Sequence, residues 1–151
     1  MVNTMEYIAT LITMIGFVIG LGAVLVIDLD GFLGRHSPYW TETTIRVHKV
    51  TKPLIWIGMT LVLLGTMLMF ASGMLASGIF WTRIAIIAAM VVNGCFLSFV
   101  VSPELLRREH AGLARRLLPK PLQRKITLSF LVSAASWWGM LAWTVYTIVV
   151  R

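Results

Sequence analysis

Four long apolar runs decide what this chain can fold into. The first, residues 7–27, offers 21 residues before the next charge. As a helix it is about 31 Å long, which matches a bilayer core of about 30 Å. Three more runs follow, at about 53–71, 82–101 and 126–150. Lipid cannot hydrogen-bond a peptide group, so such runs cross as helices that satisfy their own backbones. Hydrophobic residues make up 58% of the 151-residue chain, above the roughly 45–50% of soluble domains. We therefore expect one domain, 1–151, an all-α integral membrane protein built as a four-transmembrane-helix bundle.

Charge sorts the connections. Residues 28–52 carry Arg35, Arg46, Lys49 and Lys52, and residues 103–125 carry Arg107, Arg108, Arg115, Arg116, Lys120, Arg124 and Lys125. These are 11 of the 13 cations, and only Arg83 and Arg151 lie elsewhere. Cations near span ends stay in the cytoplasm during insertion, so both connections are expected there and both termini on the other side. The net charge of +7 then faces anionic lipid headgroups rather than nucleic acid. The seven cations of 103–125 form the expected headgroup-binding set. No Lys or Arg precedes the first apolar run, so that run reads as a span rather than a secretory signal.

Local signals add detail. Gly16 and Gly20 form a G-x-x-x-G pair, a spacing that lets a second helix backbone come close. Packing within the bundle is the expected use, with a homodimer seam as the alternative. Gly31, Gly34 and Ser37-Pro38 predict turns, and an amphipathic entry helix is expected from Thr41. On it Glu42 precedes Arg46 by one turn, the favourable order for an ion pair. Pro53 disfavours helix at Lys52, which predicts a break or kink there. Ser102-Pro103 is expected to close the third span. Beyond it Leu106, His110, Leu113 and Leu117 share a helical face opposite Arg108 and Arg115, the pattern of a basic interfacial helix that Pro119 and Pro121 end.

Titratable groups concentrate in 28–52, which holds three of the six acids and two of the three histidines. Asp28, Asp30, His36, Glu42 and His48 offer oxygen and imidazole ligands of the kind a divalent metal takes. A solvated, salt-bridged surface is the alternative use of the same residues. Asp28 stands out because it sits at the hydrocarbon edge, where Arg46, Lys49 or Arg124 are its expected ion-pair partners. Haem is a second candidate, but bundle haems need imidazoles projecting inward. His36, His48 and His110 all fall in connections, which leaves only a surface haem held by His48 and His110. A third candidate is an intramembrane polar site formed by Asn93, Ser133 and Ser136 beside Trp137-Trp138, near the bilayer midplane. Such residues line pathways or hydrogen-bond between helices. Cys95, the single cysteine, excludes an intramolecular disulfide and a cysteine-based metal site. There is no G-x-S-x-G, Walker loop or H-E-x-x-H, so no catalytic residues are assigned. The absence of charge in mid-span argues against proton-coupled transport.

The stretches IGFVIGLGAVLVIDLDGFLGR, PLIWIGMTLVLLGTMLMF, VVNGCFLSFVVSPEL and SAASWWGMLAW resemble small bacterial four-helix membrane proteins of the copper-resistance D (CopD)-like kind. The resemblance touches all four spans and implies a bacterial inner-membrane location. Members handle copper or take part in haem biosynthesis, and several carry histidines within their helices. The position the resemblance assigns to a span-three histidine reads Leu97-Ser98 here.

Three functional readings stay open on these grounds. The first is a non-enzymatic accessory, binding or transport component, as a homo-oligomer or as a subunit of a larger membrane complex. The second is a CopD-like redox protein handling metal or haem. The third is a small ion channel formed by oligomers.

Overall fold

The computed structural model describes residues 4–34 and 36–149. Arg35, counted among the cations above, and residues 150 and 151 lie outside the described residues. The chain is all helix: α1 (Thr4–Leu33), α2 (Pro38–Ala71), α3 (Ser77–Phe96), a π-helical segment (Leu97–Val101), α4 (Ser102–His110) and α5 (Lys120–Val149). The helix of the third apolar run continues through the π segment into the charged α4, and among the described residues four helices are long and apolar enough to cross a membrane.

Helices outrun the apolar runs at the basic end, and this corrects several sequence expectations. α1 does not stop at Ile27 but continues through Asp28, Asp30 and Gly31 to Leu33. α1 is followed by Gly34, whose N–H bonds Asp30 O at 2.8 Å, and α2 begins at Pro38. A Cβ on Gly34 would lie 3.1 Å from the Asp30 carbonyl and 3.2 Å from Thr44 Oγ1, so a side chain there would press on its neighbours. Pro38 opens α2, a position where its missing N–H costs nothing. The segment 28–52 is thus two helix ends joined by four residues.

Pro53 does not break α2. It removes one intrahelical bond, and packed residues on both sides, Ile45 and Thr51 before it and Gly58, Met59 and Val62 after it, hold the helix through that loss. Nor does Ser102-Pro103 close the third span. Proline at 103 has no N–H to give the carbonyl of Phe99, and the ladder slips by one residue. Ser102 N–H bonds Leu97 O, five residues back, which is the π register. Beyond it α4 ends at His110, where Gly112 turns at φ +70, a left-handed conformation suited to glycine. Leu113 and Leu117 therefore lie off that helix and share no face with Leu106. Pro121 belongs to the first turn of α5 rather than ending a helix.

The α1–α2 seam is the tightest packing in the molecule. A Cβ on Gly16 would fall 2.8 Å from the Gly58 carbonyl, and one on Gly58 would run into the backbone of Gly20. One turn group further on, a Cβ on Gly65 would meet Thr13. The G-x-x-x-G pair is thus consumed inside one chain, against Gly58 of α2.

All four crossing helices meet in one buried apolar cluster. Phe17, Leu21 and Val24 come from α1, Met59 and Val62 from α2, Ile87 and Met90 from α3, and Trp137 and Met140 from α5. Trp137 is 2% exposed, lies over Gly20 and meets Phe17 edge to face at 6.3 Å. Its neighbour Trp138 is half exposed, so the aromatic pair splits between core and outer surface.

Candidate functional site

At the basic end, above that apolar cluster, the helices enclose a cavity of ≈ 90 Å³. On that measure one water needs only about 10–15 Å³, so the space is ample for ordered water. All four crossing helices line it. α1 contributes Asp28, and α2 contributes Thr41, Thr44, His48, Lys52 and Trp56 along one helical stripe. The π segment contributes Leu97, Ser98 and Val101, and α5 contributes Gln123, Ile126, Thr127, Ser129 and Phe130. Most of the wall is apolar, with a few polar groups converging, as is usual for small-molecule sites.

The π segment helps create this space. Its wider turn carries three wall residues, and it aims Ser98 at α2, where Trp56 Nε1–H donates to Ser98 Oγ at 3.4 Å. π bulges inside helices recur at functional sites. The floor is polar and fully satisfied. Ser129 donates to Asn93 Oδ1 at 2.7 Å, and Asn93 Nδ2 returns a bond to the Ser129 carbonyl at 3.2 Å.

The charged wall groups differ. No hydrogen bond or ion pair joins Asp28 or Lys52 to any described residue, and His48 Nε2 is buried without a partner. The threonines do not supply the want, since Thr41 Oγ1 donates to the Gly34 and Ser37 carbonyls and Thr44 Oγ1 to Trp40 O. The cavity therefore holds a carboxylate, an amine and an imidazole nitrogen, none of them engaged by described residues.

The proposed metal set divides. Asp28 and His48 share the cavity wall. Glu42 instead bonds Arg46 at 2.6 Å and Arg115 at 3.0 Å on the surface. Asp30 and His36 are not in the wall, and His36 is exposed. Among the described residues no three His, Cys, Asp or Glu side chains are grouped to hold a metal ion. The surface-haem pair divides too, since His48 faces the cavity while His110 is exposed at the end of α4. The expected Asp28 partners are engaged elsewhere or absent: Arg46 holds Glu42, Lys49 holds Glu109 at 2.9 Å, and Arg124 has no ion-pair partner among the described residues.

Of the intramembrane polar set, Asn93 is paired with Ser129 rather than with Ser133 or Ser136. Ser133 is buried and Ser136 half-buried. Of the seven cations in 103–125, three are engaged internally. Arg107 holds Glu104 at 2.9 Å, Arg108 donates to the Leu117 carbonyl at 3.2 Å, and Arg115 holds Glu42. Arg116, Lys120, Arg124 and Lys125 are exposed and have no ion-pair partner among the described residues. Together Glu42–Arg115 and Lys49–Glu109 tie α2 to the 103–125 connection.

Sequence reasoning missed Thr44, Trp56, Gln123 and Thr127 as wall residues. The signal was present in α2: residues 41, 44, 48, 52, 55 and 56 repeat at helical spacing and mark one face. Arg83 was also underread as the residue opening a span. It is fully buried, with Nη1 3.1 Å from Met69 Sδ and Nη2 donating to Thr147 Oγ1 at 3.0 Å, while Nε has no partner.

No family model, no curated protein and no solved structure matches this chain.

Proposed function

We propose that the chain is a non-catalytic, multi-pass protein of the bacterial inner membrane whose cavity binds a small solute or amphiphile reached from the cytoplasm. It serves as a binding, accessory or transport component, as a homo-oligomer or within a larger membrane complex, with its basic connections against anionic headgroups. One observation carries this reading: His48 Nε2 is buried without a partner in the wall of a cavity that the half-buried Asp28 also lines, and Asp28 has no partner among the described residues. A buried polar atom left unsatisfied costs about 1–3 kcal/mol. A ligand or ordered water that pairs with His48 Nε2 recovers that cost. The cytoplasmic orientation rests on the distribution of cations, and the apolar cluster around Trp137 and Met140 supports access from one end only.

The test is native mass spectrometry, with a visible absorption spectrum, of protein purified gently from its own membrane. We expect a colourless protein that retains a small molecule, and Asp28→Asn to lose it. Asp30→Asn, outside the wall, retains it. Equal retention of the small molecule by wild type and Asp28→Asn would sink the reading. A Soret band or a stoichiometric metal would favour the CopD-like alternative. Ion flux in liposomes would favour the oligomeric channel.

A further inference from the structure

The start of α5 arranges unlike residues in a definite order. Lys120 and Arg124 come first, Gln123 and Thr127 next, and Leu128 and Leu131 last, and these six line an open groove of ≈ 490 Å³. Residues 120, 124, 128 and 131 follow helical spacing, so the two cations and two leucines form one stripe along the helix. The leucines are 65% and 56% exposed. No acidic residue lines the groove, and neither cation has an ion-pair partner among the described residues. The contrast with Arg107, Arg108 and Arg115 matters, because those three are already spent on internal acceptors.

We propose that this groove docks one anionic phospholipid of the cytoplasmic leaflet, its phosphate between Lys120 and Arg124 and an acyl chain along Leu128 and Leu131. The proposal rests on the membrane placement argued above. Two independent features select this occupant. Two cations one turn apart, with no ion-pair partner among the described residues and close to the positive end of the helix dipole, call for a net negative group. The exposed leucines directly beyond them call for an apolar continuation that free phosphate lacks. A zwitterionic lipid supplies the tail without the net charge. Of the seven cations expected to bind headgroups, the structure thus singles out two that share a groove with an apolar track.

The test uses the full chain in nanodiscs of equal phosphatidylglycerol and phosphatidylcholine, released into the gas phase, with the retained lipids counted. Each basic residue near an anionic surface contributes on the order of 1 kcal/mol. With two such residues, wild type should therefore retain phosphatidylglycerol over phosphatidylcholine by about thirtyfold. Lys120→Gln/Arg124→Gln should bring that ratio close to one, and Arg124→Gln alone should lower it part-way. Arg116→Gln/Lys125→Gln, which removes the same charge outside the groove, should leave it unchanged. Equal retention by wild type, or a ratio that falls equally in both double variants, overturns the proposal. If added inorganic phosphate abolishes the preference at unchanged ionic strength, the site is a simple anion site and the lipid assignment fails. Both leaflets carry the same lipids, so the result does not depend on which way the chain crosses. Failure of the groove and failure of the orientation are therefore separate outcomes.

Discussion

The α1–α2 seam and the basic-end cavity lie on the same two helices, yet they are built in opposite ways. In the seam, Gly16, Gly20, Gly58 and Gly65 remove side chains so that backbones meet. In the cavity, Asp28, His48 and Lys52 add long polar side chains where helices separate. Lipid gives little hydrophobic driving force for helix association, so close backbone packing has to supply it. The seam holds the bundle together, and that frees the basic end to leave charged groups without partners. Close packing and the proposed binding cavity thus fall on different stretches of the same pair of helices.

Substitutions can break or sharpen this division. The largest effect is expected from Gly58→Leu, because its side chain would have to occupy the space of the Gly20 backbone. Ordinary overpacking costs about 1–3 kcal/mol, and a backbone obstacle cannot rotate away, so folded, monodisperse protein should be lost in detergent size-exclusion. Survival of Gly58→Leu with unchanged thermal stability would mean that the seam is not what holds the bundle.

Trp137→Ala is expected to come next. Removing a buried aromatic in a soluble core costs about 3–5 kcal/mol. Here the reference solvent is lipid, and the effect should be nearer 2 kcal/mol, mostly lost packing contacts. It should lower the unfolding temperature without abolishing folding. It should also thin the barrier between the cavity and the far end, which a rise in far-side labelling of a cavity cysteine would report.

The smallest effect is expected from Glu42→Gln. Glu42 holds both Arg46 and Arg115, but exposed ion pairs contribute about 0–1 kcal/mol. Thermal stability should change little, and what change there is should vanish at high salt. A loss comparable to that of Trp137→Ala would show that the surface pairs, not the core, order the basic end.

The crossing helices were legible in the sequence because hydropathy over about 20 residues is a strong, local signal. The Glu42–Arg46 pair was legible for the same reason, since both partners sit one turn apart on one helix. What was not legible depended on context. Pro53 and Pro103 read as helix breakers, yet packing carries α2 through the first and a shift to π register accommodates the second. Asp28 was singled out at the end of the first apolar run and lines the cavity, but none of its expected basic partners pairs with it. Arg46 holds Glu42 instead, and Lys49 reaches Glu109, 60 residues distant. The Asn93–Ser129 bond likewise joins residues 36 apart in the chain, a pairing that no periodicity announces. Local patterns therefore specified which segments are helical, while tertiary packing decided which polar groups found partners.

The central proposal is a cavity open at the basic end, which the distribution of cations assigns to the cytoplasm, and sealed from the other end by the Trp137 cluster. Thiol labelling tests it most directly, in a Cys95→Ala background with a cysteine in place of Ser98 and a membrane-impermeant maleimide. The account predicts reaction in inside-out vesicles and none in right-side-out ones, with Thr144→Cys, fully buried on the far side of the cluster, unreactive from the cytoplasmic face. Labelling of Ser98→Cys from the external face, or from neither face, would contradict it.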